Sequence, residues 1–289
     1  MDPTVNLPPL NVAALLRAHG IHPKKSLGQN FLMDPTALEQ IVQAAGIQPD
    51  DAVLEIGPGL GGLTRYLSAV ARRVVAVEID IHLIALLKTV LADAENVRIV
   101  HGDILLENPA ELMGEGGYAV VANIPYYITS AVIRHLLEAP LRPTRMVLTV
   151  QREVADRITA KPGDMSLLAL SVQVYGRPQV VLRVPAEAFY PSPKIDSSAV
   201  RLDLYPQPLI PTDQLETFFR LAKAGFGQKR KTLRNSLSAG LSWPGQQTAD
   251  LLVATGIDPM RRAETLSMDE WKNLTQLYLL RRLKNNRGG

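Results

Sequence analysis

The amino-acid sequence predicts an α/β protein: a Rossmann-like, mostly parallel sheet covered on both faces, followed by a small all-helical domain. From Ala52 to about Thr159, short apolar runs alternate with helical patterns, which is the signature of repeated strand–helix units. Two of those runs end in turns that carry chemistry, a glycine-rich one after Ile56 and an Asn-Ile-Pro-Tyr one after Ala122. Beyond Tyr205-Pro206-Gln207-Pro208 only helical periodicity remains, so the proline-rich stretch marks a boundary.

Taken in order, residues 1–34 form a lead with a short helix near Asn11–Ala18 and a polar segment after it. A helix follows from about Pro35 to Ala45. Strands are expected at Ala52–Ile56, Val74–Glu78, Val97–Val100, Ala119–Ala122 and Met146–Val150. Most of these runs are nearly continuous in apolar residues, as strands buried on both faces are. Helices fall near Leu63–Val70, His82–Ala92, Ser130–Glu138 and Glu153–Thr159. Two further strands, about Ser171–Tyr175 and Ser198–Leu204, complete the sheet; in the second, Val200, Leu202 and Leu204 alternate with Arg201 and Asp203. The sheet domain therefore spans 35–205. The helical domain spans 206–289, with helices near Thr212–Ala224, Lys229–Leu237, Gln246–Ala254 and Met268–Leu283.

The strand ends hold the candidate site. Gly57, Gly59 and Gly62 fit G-x-G-x-x-G after a strand, a pattern that lets backbone approach a ligand at a helix N-terminus. Dehydrogenases and nucleoside-binding enzymes share it. Glu78 lies 21 residues after Gly57 at the next strand tip, where a carboxylate can accept from both ribose hydroxyls; a solvated strand-end Glu is the alternative. Asp103 follows the third strand and can accept from an adenine amine, although an isolated Gly-Asp is also an ordinary turn. Asn123-Ile124-Pro125-Tyr126 offers an amide oxygen, a backbone carbonyl and an aromatic face, enough to grip a planar amine with its lone pair free. The competing reading is a strand-to-helix turn with an Asn cap. The order of glycine turn, ribose acid, adenine acid and amine clamp favours S-adenosylmethionine and methyl transfer over NAD and hydride transfer.

Three blocks carry a resemblance to a known family. Lys25-Ser26-Leu27-Gly28-Gln29-Asn30-Phe31-Leu32, Glu55-Ile56-Gly57-Pro58-Gly59-Leu60 and Asn123-Ile124-Pro125-Tyr126 resemble the small-subunit ribosomal RNA adenine dimethyltransferases. Phe189-Tyr190-Pro191-Ser192-Pro193-Lys194-Ile195-Asp196-Ser197 is similar to the family's F-x-P-x-P-K-x-D-S segment. Gly227-Gln228-Lys229-Arg230-Lys231-Thr232-Leu233-Arg234-Asn235 and Gly256-Ile257-Asp258-Pro259 resemble its C-terminal signatures. The resemblance implies a seven-stranded class I methyltransferase sheet with its last strand inserted antiparallel. It also implies dimethylation of two adjacent adenosines near the 3′ end of small-subunit rRNA, in an immature or preassembled subunit; a monomer is the expected state. Asn30 and Leu32 would then close over the cofactor, with Asn30 near its methionine end. Tyr126 and Phe189 would sandwich a base extruded from its strand. The macrolide-resistance methylases of large-subunit rRNA share the core. An NAD-dependent oxidoreductase and a non-catalytic ribosome-assembly or transcription factor are the readings from other classes.

Composition narrows the classes further. There is no cysteine, which excludes disulfides and thiolate metal sites and suits a cytoplasmic protein. The five histidines show no metal-ligand spacing, so no metal is expected. No run approaches a membrane span, and the N-terminus shows no export signal. Residues 206–289 hold 13 Lys and Arg against 7 Asp and Glu, while the rest of the chain holds 18 against 21. Lys223, Lys229, Arg230, Lys231 and Arg234 run without acidic interruption and suit RNA phosphates; on a helix from Lys229, positions 230 and 234 would share a face. Asn235 and the residues Arg281, Arg282 and Lys284, these three expected to be exposed, extend that footprint. Lys24 and Lys25 make a basic lip suited to RNA, or else a simple polar linker.

Overall fold

The structure, a computed structural model, describes residues 7–287, without the side chains of 283–287. Lys284 therefore lies outside the described side chains. In chain order the elements are α1 (Val12–Ala18), β1 (Phe31–Leu32), α2 (Pro35–Ala45), β2 (Ala52–Ile56), α3 (Gly62–Val70), β3 (Arg73–Glu78), α4 (Ile81–Val90), β4 (Val97–His101), α5 (Pro109–Met113), β5 (Tyr118–Asn123) and α6 (Thr129–Glu138). There follow β6 (Arg145–Gln151), α7 (Arg152–Ile158), α8 (Leu167–Gln173), β7 (Gly176–Val184), β8 (Phe189–Tyr190), β9 (Ser197–Leu204), α9 (Leu215–Phe226), α10 (Leu233–Leu241), α11 (Gly245–Ala254) and α12 (Met268–Arg287). They form two compact units, Met1–Ala155 with Pro178–Leu204, and Asp156–Arg177 with Tyr205–Gly289.

The first unit is built on a seven-stranded sheet in the order β4-β3-β2-β5-β6-β9-β7. The strands β4, β3, β2, β5 and β6 pair in parallel, and β9 enters antiparallel to β6. Their apolar runs follow from that placement, because Val53, Leu54, Val74, Val75, Val120 and Val121 are all fully buried. On one face α2 and α3 pack Ile41, Ala45 and Leu67 over Val53, Val74, Val121 and Val147. Asp34 caps α2 by accepting the Ala37 N–H at 2.7 Å, with Pro35 at the first helical position. The chain order reverses at β2, between β3 and β5. Such a switch point opens a crevice at the carboxyl ends of the strands.

The second unit is helical, packed around Phe218, Leu221, Leu233, Leu237, Leu251, Trp271 and Leu274. The Trp271 ring stacks on Phe226 at 5.9 Å between centroids, and Trp243 stacks on Tyr278 at 4.9 Å. Arg220 lies over the Tyr278 ring and also donates to its hydroxyl at 3.0 Å.

Two expected elements are corrected. Ser171–Tyr175 is not a strand: its first residues end α8, where Ala169, Leu170 and Val172 are buried and Ser166 caps by accepting the Ala169 N–H. The strand comes just after it, as β7, and includes Pro178, which an edge position tolerates. The helix expected from Lys229 begins instead at Leu233, because Thr232 takes the N-cap and accepts the Asn235 N–H. Lys229, Arg230 and Lys231 thus occupy the turn before α10, and Arg230 and Arg234 do not share a helical face. The short elements α5, β1 and β8 gave no periodic signal. Arg281 is half-buried rather than exposed, and it donates to the Asp250 carbonyl at 3.2 Å.

Trp271→Ala should cost about 3–5 kcal/mol by removing the largest buried side chain of the second unit. Chemical denaturation measures it, and a loss below about 1 kcal/mol would mean that Trp271 does not anchor that core.

Candidate active site

A cleft opens at the carboxyl ends of β2, β3, β4 and β5 in the first unit. Its walls include Asn30, Leu32, Gly57, Gly59, Glu78, Asp103, Asn123, Pro125 and Tyr126. Parallel pairing explains the convergence. Ile56 lies opposite Val77 on one side and Ala122 on the other, so Gly57, Glu78 and Asn123 are the next residues out on three adjacent strands.

The glycine turn is shaped by close approach. Gly57 and Gly59 have φ of +67° and +59°, and a Cβ on Gly59 would stand 2.8 Å from the Phe31 ring. Glu78 is 4% exposed; its Oε2 accepts the Gly59 N–H at 3.0 Å and its Oε1 the Asp80 N–H at 2.8 Å. Each oxygen keeps a second lone pair for a ligand hydroxyl. Burial pushes the Glu78 carboxyl above its ordinary range against those hydrogen bonds. Asp103 accepts the Leu105 N–H at 3.0 Å, and Ile79 and Ile104 add apolar surface to the same wall.

Glu55 carries no assignment in the sequence reading, yet it belongs to this site. It is 1% exposed at the end of β2 and lines the cleft, and its Oε2 has no hydrogen-bond partner among the described residues. Burial, reinforced by the Glu78 charge, raises its carboxyl to about 8. At neutral pH it is therefore mostly a protonated, uncharged carboxyl that can donate as well as accept in the cleft.

The Asn-Ile-Pro-Tyr turn is held on both sides. Asn123 Nδ2 donates to the Asn30 carbonyl at 3.0 Å, which leaves Oδ1 as the acceptor that remains for a ligand. The Pro125 carbonyl accepts the Ile128 N–H at 3.1 Å. The Tyr126 hydroxyl shares a 2.8 Å hydrogen bond with Ser197 Oγ, and burial pushes it above the usual tyrosine range. Ser197 is fully buried, and only a contact 71 residues away in the chain reveals its part.

The other expected site residues divide. Phe189 is 2% exposed and belongs to the core beside Leu32 and Ala188, so its ring does not reach the cleft wall. Strand alternation in β8 turns Phe189 inward and Tyr190 outward. Lys24 is paired with Asp80 at 2.8 Å and only partly exposed, whereas Lys25 is exposed. In the second unit Lys223, Lys229, Arg230, Lys231 and Arg234 are all exposed, as are Asn235 and Arg282. No group of three or more His, Cys, Asp or Glu able to hold a metal occurs among the described residues, and no described helix is long and apolar enough to cross a membrane.

The profile of the ribosomal RNA adenine dimethylase family matches residues 21–279. A relative from Dehalococcoides mccartyi (strain CBDB1), named ribosomal RNA small subunit methyltransferase A, is 48% identical over 266 residues, covering 91% of each chain. A relative of the same name from Pelotomaculum thermopropionicum is 44% identical, covering 94% of this chain and 96% of its own. Among solved structures, the 23S rRNA methyltransferase ErmE superposes with a TM-score of 0.71 at 30% identity, covering 86% of this chain and 99% of its own. A dimethyladenosine transferase from Plasmodium falciparum superposes at 0.75 and 27% identity, covering 84% and 95%.

Two predictions follow from the geometry. Ser197→Ala frees the Tyr126 ring, so turnover should fall roughly tenfold while cofactor affinity holds; unchanged turnover would show that Ser197 does not fix the ring. Glu55 binds a proton in the folded protein that it releases near pH 4.5 when unfolded, so it lowers stability progressively from about pH 4.5 to about 8. The advantage in melting temperature of Glu55→Gln over the parent should therefore widen from pH 5 to pH 8 and level off above. A constant difference across that range would place the carboxyl in its ordinary range.

Proposed function

The chain belongs to the ribosomal RNA adenine dimethylase family, and on that premise we propose that it transfers methyl groups from S-adenosylmethionine to the exocyclic amines of adenosines in small-subunit rRNA. The product is dimethyladenosine, at two adjacent adenosines near the 3′ end of that RNA, in the course of small-subunit maturation. The observation that carries the reading is the fixed Asn123 amide, whose Nδ2 is held by the Asn30 carbonyl while Oδ1 is left to the cleft.

The cleft suits the cofactor. Gly57 and Gly59 bring backbone close to it, Glu78 takes the ribose hydroxyls, Asp103 the adenine amine, and Glu55 offers a carboxyl oxygen that has no other partner among the described residues. Asn30 and Leu32 close the lip side. S-adenosylmethionine supplies a methyl group on a positively charged sulfur.

An adenine amine is a weak nucleophile because its lone pair is delocalised into the ring. Asn123 Oδ1 accepts one amine hydrogen and the Ile124 carbonyl the other, which aims the lone pair out of the base plane. Tyr126, fixed by Ser197, stacks on the extruded base. The nitrogen–carbon bond forms as the sulfur–carbon bond breaks, and the amine then sheds its surplus proton to water. Alignment supplies most of the rate, so no residue needs to act as a nucleophile. The exposed cations at Lys25, Lys223, Lys229, Arg230, Lys231 and Arg234 neutralise RNA phosphates.

The small subunit is favoured over the large by 48% and 44% identity to the two proteins named for it, against 30% to ErmE. Asn123→Ala should reduce methyl transfer to small subunits by at least 100-fold while S-adenosylmethionine still binds. Retained transfer would overturn the clamp.

A further inference from the structure

The segment 24–30 is fastened at two points on opposite sides of the cleft. At the first, Lys24 Nζ donates to Asp80 Oδ1 at 2.8 Å and Gln29 Nε2 donates to Asp80 Oδ2 at 2.9 Å. Gln29 Oε1 in turn accepts the Lys24 backbone N–H at 2.7 Å, which closes a ring of three residues. Asp80 is 3% exposed and sits two residues from Glu78, to which its own N–H donates. At the second point the Asn30 carbonyl accepts from Asn123 Nδ2, while the Asn30 side chain donates to the Gly28 carbonyl at 3.1 Å. Between the two, Gly28 has φ of +61°, and a Cβ there would lie 3.3 Å from Pro125 and the Tyr127 ring.

One short strap therefore joins the ribose acid to the amine clamp. We propose that the Lys24–Asp80–Gln29 ring is a latch, and that Lys24 and Asp80 are positioning residues that act on Asn123 through the strap. The latch rests on the reading of the cleft as a methyl-transfer site, because it assigns Asn123 its task. Closing the strap at the cofactor end holds the Asn30 carbonyl where it orients the Asn123 amide, so the clamp is assembled only when the cofactor side is covered. Lys24 then serves the latch rather than an RNA phosphate.

The chemistry of Asp80 suits that role. Burial opposes its ionisation, but hydrogen bonds from Lys24, Gln29 and the His82 N–H outweigh burial and hold the carboxyl below its usual range. Charge-assisted bonds to a buried carboxylate are strong, and removing the cation strands a buried charge. The Lys24 side chain is 39% exposed on a surface segment, so its loss should open the strap without unfolding the sheet.

The test is a double-mutant cycle of Lys24→Ala and Asp80→Asn in the full chain; Asn retains a capping oxygen for α4. Each single variant should weaken S-adenosylmethionine binding and lower kcat by roughly tenfold, the double should be no worse than either, and Lys24→Arg should restore both. Gln29→Ala provides a second way to open the ring. Without any methyl acceptor, amide hydrogen exchange of residues 24–30 should speed up in each variant. Effects that multiply in the double variant would overturn the latch, as would Lys24→Ala weakening RNA binding alone. An exchange rate unchanged from the parent would overturn it without reference to activity. Should the parent protein transfer no methyl group at all, the functional reading falls separately, and the exchange result still decides whether the strap is latched.

Discussion

The parallel pairing of β2 with both β3 and β5 is the constraint on which the rest of the site depends. It sets Ile56 opposite Val77 and Ala122, and thereby brings Gly57, Glu78 and Asn123, far apart in sequence, to one rim. A slip of one residue in either ladder would turn one of these side chains to the other face of the sheet. The apolar runs that pin the register are therefore part of the active site, although they touch no ligand. Helices α2 and α3 pack on the same strands.

Charge is unevenly divided along the chain. The cleft of the first unit gathers Glu55, Glu78 and Asp103, two of them buried enough to lift their carboxyls. The positive excess lies in residues 206–289, with five of its cations exposed around the start of α10 and the end of α9. The acidic cleft and the positive excess thus lie in separate parts of the chain. The strap at 24–30 belongs to the cofactor side, because its first lysine is tied to Asp80.

Much of this was legible in the sequence. Ala52–Ile56 and Pro35–Ala45 are read to the residue, because a short, mostly apolar run ending at a glycine turn and an Asp-Pro start leave little choice. Every expected cofactor residue, from Asn30 to Asn123, lines the cleft, since each falls at a strand end or in the lip. What the sequence hid was tertiary. The Ser197 hydroxyl under Tyr126 and the Asp80 carboxylate under Lys24 come from distant segments, and no local pattern names their partners. Phe189 turned inward because alternation in a two-residue strand cannot be phased from sequence. Lys229–Lys231 stayed out of a helix because Thr232 is the better cap.

Nucleoside analysis of rRNA after incubation with labelled S-adenosylmethionine and small subunits lacking this modification tests the central claim most directly. Label in dimethyladenosine of the small-subunit RNA is the result that the convergence of cofactor cleft and amine clamp predicts. Label confined to large-subunit RNA would keep the chemistry and contradict the target, and cofactor binding without transfer to either RNA would contradict the clamp itself.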